Sequence, residues 1–206
     1  MILPAERIAD LLQSDPSKES DPLVISPTTD LEALRRDGGA SIDLRLGTWF
    51  LTMKARRYPL LDIYTHEDRA PQPGDLTNRY YVPFGEKFIL HPRSFVLAAT
   101  LEWLRLPQTL AGMVTGKSSW GRRGLIIETA PGIHPGFTGC LTLELSNVGE
   151  IPIAISPGTK ICQLFLHKLD QSASSIPTTQ FRGQRQPSMS LATPDAFATK
   201  LMLPKA

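Results

Sequence analysis

Four short stretches of this chain place apolar residues at every second position, and this constrains the fold more than any other feature. Ile42, Leu44 and Leu46 alternate with Asp43 and Arg45, and Phe95, Leu97 and Ala99 form a second set. Leu141, Leu143 and Leu145 form a third, and Ile151, Ile153 and Ile155 a fourth. A period of two puts these side chains on one face of an extended strand and the intervening residues on the other. The 18 prolines and 15 glycines fall mostly between such runs, where tight turns join short strands. The pattern predicts a mostly β chain, a sandwich, jelly roll or barrel with little helix. Leu3, Ile8, Leu11 and Leu12 have helical spacing and predict a short N-terminal helix over 3–13, followed by a polar loop over 14–22. Arg56–Arg79 lacks clear periodicity and reads as a long excursion with local structure only. Residues 170–206 are rich in Ser, Thr and Gln and read as an arm that orders only by docking. A length of 206 residues favours one domain over 1–206.

Bulk properties narrow the function classes. A net charge of +2 gives no ground for a nucleic-acid partner. Basic residues cluster only locally, at Arg56–Arg57, Lys117–Arg123 and Arg182–Arg185, which suits solvated surface as well as an anion site. No apolar run of membrane-spanning length occurs, and MILPAERIADLLQ lacks the apolar core and cleavage site of a secretory signal. Cys140 and Cys162, each within an apolar run, are expected to be buried free thiols, and the expected location is the cytoplasm.

Residues 116–147, GKSSWGRRGLIIETAPGIHPGFTGCLTLELSN, hold the densest chemistry. Gly-Lys-Ser-Ser can aim backbone N–H groups and hydroxyls at an anion, and Arg122 and Arg123 can add charge-assisted hydrogen bonds. The spacing is not that of a Walker A loop, and a capped surface turn would carry the same residues. Glu144 alternates with Leu143 and Leu145 and so faces away from them. It is either a solvent-facing glutamate or, held in a pocket, a general base. The three His/Cys ligands and the HxE and PCxxC patterns of zinc deaminases are absent, the two cysteines lie 22 residues apart, and His66, His91, His134 and His167 show no close ligand spacing. No protein-held metal is expected.

Five segments together resemble the dCTP deaminase branch of the dUTPase superfamily. They are GGASIDLRLG (38–47), GKSSWGRRG (116–124), TAPGIHPGFTGCLTLELSN (129–147), PGTKICQLF (157–165) and FRGQRQPS (181–188), in the family's order. The resemblance implies a dUTPase-like β-clip, or distorted jelly-roll barrel, with a short N-terminal helix and a C-terminal arm (170–206) that closes over the active site. It also implies a homotrimer with active sites shared between subunits. The implied reaction is zinc-independent hydrolysis of dCTP, carried as its Mg2+ complex, to dUTP and ammonia. Glu144 matches the catalytic glutamate, while Ser118 and Arg122 match residues that position water and complete the site from a neighbouring subunit. Lys117, Ser118 and Ser119 match the triphosphate site. Thr129 and Ala130 match the turn that reads the base edge, and Ile133, His134 and Phe137 the segment under the deoxyribose, where a packed ring excludes a 2′-hydroxyl. Gln163 in PGTKICQLF, Gln180 and Gln184 complete the expected substrate contacts.

The chain departs from the family at three places. His134 stands where an aspartate is usual, which counts against phosphate-chain hydrolysis because the related pyrophosphatases order water with that aspartate. Gln180 stands where a lysine is often found. The turn before Thr129 is one residue shorter than in some members, and Glu128 adds a carboxylate near the base pocket. The alternatives are a dUTP pyrophosphatase, a bifunctional enzyme giving dUMP, and a non-catalytic nucleotide-binding trimer.

Overall fold

The computed structural model describes residues 1–54, 73–128, 132–176 and 181–189. Its elements run α1 (Ala5–Gln13), β1 (Val24–Ser26), α2 (Leu31–Asp37), β2 (Ile42–Met53), α3 (Pro73–Leu76), β3 (Thr77–Tyr81), β4 (Phe88–Leu90), β5 (Phe95–Arg105) and β6 (Leu110–Gly116). They continue α4 (Ser118–Gly121), β7 (Leu125–Glu128), β8 (Gly132–Ile133), β9 (Thr138–Asn147), β10 (Ile153–Ile155) and β11 (Lys160–Lys168). The mostly β reading and the short N-terminal helix both hold.

Seven strands pair in the order β7-β9-β5-β2-β11-β6-β8, with β1 added on β5 and β3 on β2, while β4 and β10 form a separate pair. The sheet curls because β2 serves both halves. Its first residues pair with β11, and Leu46–Met53 run along β5 and β3. The register slips between Leu46 and Phe50 of β2 and between Ala99 and Trp103 of β5, and such bulges bend and twist a strand. Gly47 permits the bend, since a Cβ there would lie 2.9 Å from the Ala99 carbonyl oxygen. Leu44, Leu46, Phe50, Leu104, Leu143, Leu145, Leu164 and Leu166 are fully buried on the shared core face.

Three features depart from the sequence reading. Asp30 caps α2, its Oδ1 accepting from Ala33 N at 3.0 Å, and Gly38 ends the helix at a φ of 65°. Thr77–Arg79 belong to β3 and pair with β2 rather than to an unpaired excursion; residues 55–72 of that stretch lie outside the described residues. Ile151 is 78% exposed, so the fourth alternating run starts at Ile153. The described parts of the arm dock on their own chain, the condition the sequence reading set for its ordering. Leu169 N donates to Thr109 O, and Ala173 N to Gln108 O. Gly183 N donates to Thr138 O at 2.7 Å, and Cys140 N to Gln184 O at 2.7 Å. Residues 183–184 therefore occupy the edge of β9 away from β5, the edge that β7 takes further along.

Candidate functional site

Alternation along β9 buries Leu143 and Leu145 completely and leaves Thr142, Glu144 and Ser146 half-buried on the opposite face. Residues directly opposite in an antiparallel ladder share a face. Glu144 stands opposite Leu97 of β5 on one side and opposite residue 128 of β7 on the other, and Leu97 in turn stands opposite Leu51. Leu51 and Leu97 are both buried, so this carboxyl group has a covered apolar surface on one flank rather than open solvent. A carboxyl with one dry flank and a half-open approach has the setting required of a proton-transfer group.

The Gly-Lys-Ser-Ser turn follows β6. Gly116 packs against Ile127, where a Cβ would come within 3.2 Å of the Ile127 Cβ. Lys117 precedes the single-turn α4, and Ser118, Ser119, Arg122 and Arg123 are exposed. Trp120 ties the turn to β11, its Nε1 donating to Lys160 O at 3.1 Å, and the Arg123 guanidinium lies 5.6 Å from the Trp120 ring centroid. Arg122 precedes β7, where Leu125 stands opposite Asn147 and residue 128 stands opposite Glu144, about 10 Å further along the strand.

The other sequence-derived residues are distributed as follows. Ile133 is buried in the core, Phe137 is half-buried against it, and His134 is exposed. Gln163 is half-buried and its Nε2 donates to Ser41 Oγ at 3.2 Å. The Gln184 side chain donates to Ser188 Oγ at 2.7 Å. Lys117, expected at the triphosphate, is turned inward, with its Nζ on Asp43 Oδ1. Thr129, Ala130 and Gln180 lie outside the described residues.

Sequence reasoning missed two charged clusters beside the site. Asp43 also receives Lys160 Nζ on its second oxygen at 3.4 Å. Glu102, in the β5 bulge, accepts from Arg45 N at 2.8 Å and from Arg45 Nη1 at 3.0 Å. Burial pushes the Glu102 carboxyl above its ordinary value, against the opposing pull of Arg45. The only signal in the sequence was alternation, which placed Asp43 and Arg45 on one face without naming a partner.

Among the described residues no group of three or more His, Cys, Asp or Glu side chains could hold an ion. Burial raises both thiols, Cys162 to about 12, so neither is a ready thiolate ligand. Among the described residues no helix is long and apolar enough to cross a membrane.

Comparison with known proteins agrees with this architecture. A solved dCTP deaminase from Agrobacterium tumefaciens superposes with a TM-score of 0.58 at 22% identity, over 80% of this chain and 46% of that one, so the chain spans about half of its length. The protein named "dCTP deaminase, dUMP-forming" from Salinispora arenicola is 45% identical over 157 residues, covering 73% of this chain and 79% of the relative. Its namesake from Acidothermus cellulolyticus is 41% identical over 187 residues, 88% of each. Both names put dUMP where the sequence reading expected dUTP. A family model described as dCTP deaminase-like matches residues 2–169, which take in the curled sheet, the 116–124 turn and the strand bearing Glu144. By that match and these relatives, the chain belongs to the dCTP deaminase-like family.

Proposed function

We propose that the protein hydrolyses the 4-amino group of dCTP and carries the product on to dUMP. The observation that carries this reading is Glu144, half-buried on the outer face of β9 with the covered Leu97 beside it. Glu144 takes a proton from the attacking water as the oxygen bonds to C4, then returns it as the C4–N bond breaks and ammonia leaves. Ser118 and Arg122, both exposed, act on a neighbouring subunit's substrate, where their donors stabilise the developing charge. This places the site between copies of the chain, a homotrimer in the proposed form. Magnesium enters as part of the substrate, on the triphosphate.

The end product differs from the dUTP expected on sequence grounds. Relatives at 41–45% identity are named dUMP-forming. The expectation rested on His134 replacing an aspartate, yet an imidazole also accepts a proton from water. The exposed His134 is therefore compatible with the second step, in which water cleaves the chain to dUMP and pyrophosphate.

The test incubates purified protein with magnesium and dCTP and follows ammonia, dUTP, dUMP and pyrophosphate together. Ammonia, dUMP and pyrophosphate should rise in equal amounts. Accumulating dUTP without pyrophosphate overturns the product assignment, and an absence of ammonia overturns the deaminase reading itself.

A further inference from the structure

Both oxygens of one carboxylate are occupied at the mouth of the 116–124 turn. Asp43 Oδ1 takes Lys117 Nζ at 2.5 Å, and Oδ2 takes Lys160 Nζ at 3.4 Å. The side chains of Asp43 and Lys117 are 21% and 25% exposed, whereas Lys160 is 54% exposed. The pairings come from three adjacent strands. Asp43 of β2 stands opposite Gln163 of β11, which stands opposite Thr115 of β6, and Lys117 follows where β6 ends. The Lys117 backbone is held as well, its N donating to Ile161 O at 3.2 Å and its carbonyl accepting from Trp120 N at 2.9 Å.

An ammonium so placed can meet an anion bound over Ser118 and Ser119 only by leaving Asp43. A mostly covered carboxylate that loses its partner carries an uncompensated desolvation cost, which would oppose anion binding. The second lysine removes that opposition because it already lies on the other oxygen. We infer that Lys160 is a relief counter-ion: it keeps Asp43 paired when Lys117 turns to a polyphosphate, and so sets affinity without touching the ligand. Lys160 and Asp43 are then positioning residues for the phosphate site. The inference rests on the reading of that turn as the triphosphate site.

Full-length protein tests it with two probes, inorganic tripolyphosphate with magnesium by titration calorimetry and dCTP by kcat and KM. Lys160→Met should weaken tripolyphosphate binding and raise the dCTP KM about two- to fivefold, with the larger share of the effect in KM. Lys160→Arg should restore both. In an Asp43→Asn background, Lys160→Met should add nothing, because the carboxylate it serves has gone. Thermal unfolding checks that each variant folds, and Asp43→Ser replaces Asp43→Asn if that one does not. No effect of Lys160→Met overturns the inference, and so does an equal penalty in the Asp43→Asn background, which would mean direct phosphate contact. If the variants follow the expected pattern in tripolyphosphate binding yet the wild type releases no ammonia from dCTP, the deaminase reading fails alone. If it deaminates dCTP and the variants show no pattern, the counter-ion role fails alone.

Discussion

Glu144 and Glu102 are both carboxyl groups on paired strands of one sheet, and their surroundings give them opposite expected behaviour. Glu144 is half-open, and Glu144→Gln should lower deamination about 10²–10⁴-fold while leaving the thermal midpoint nearly unmoved. Glu102 is closed, its side chain 2% exposed against Arg45. Arg45→Met strands that carboxylate and should cost about 3–5 kcal/mol in denaturant unfolding at neutral pH. Because burial raises the Glu102 value in the fold, folding favours proton uptake by this group relative to the unfolded chain. Its contribution is fully present below the ordinary value of 4.5 and is lost as pH climbs through the raised one. The stability advantage of wild type over Glu102→Gln should therefore shrink as pH rises from about 4.5, which parallel urea titrations would measure. Alternation alone revealed which way Glu144 faces. It could not reveal Asp43–Lys117 or Arg45–Glu102, since those partners lie 74 and 57 residues apart and only the folded register joins them.

Elements with strong alternation, β2, β5 and β9, were legible because one buried face imposes period two. Three others were not. β3 reads TNRYY with mostly exposed residues, so no buried face marks it. α2 has no buried residue and depends on its Asp30 cap and Gly38 terminus. The docking of the arm depends on Gly139, whose φ is 134° and where a Cβ would lie 3.0 Å from Gln184 O and 3.1 Å from Gln184 N. Backbone clearance of this kind leaves no mark on composition. Gly139→Ala should strain β9 by about 1–3 kcal/mol and release residues 181–189. Hydrogen exchange at Gly183 and Cys140 should then accelerate, with a rise in the dCTP KM.

At the scale of the whole molecule, the sheet order required long-range pairing that no local pattern encodes, and the five ordered motifs supplied the architecture instead. The proposed sharing of each site between Glu144 of one subunit and Ser118 of another leads to an expectation about the assembly. Glu144→Gln and Ser118→Ala subunits, each inactive alone, should regain about a quarter of wild-type activity when refolded together in equal amounts, because random mixing re-creates intact sites at that frequency. No recovery would place both residues in one subunit's site.

The seating of residues 183–184 along β9 has a further consequence for handling the protein. An unpaired strand margin is a template on which other chains can add. Shortening the chain before Phe181 would bare the backbone of Thr138 and Cys140 on the very strand that bears Glu144. A shortened form should therefore precipitate during expression or heating well before its interior packing fails, and its poor yield would report stickiness rather than misfolding.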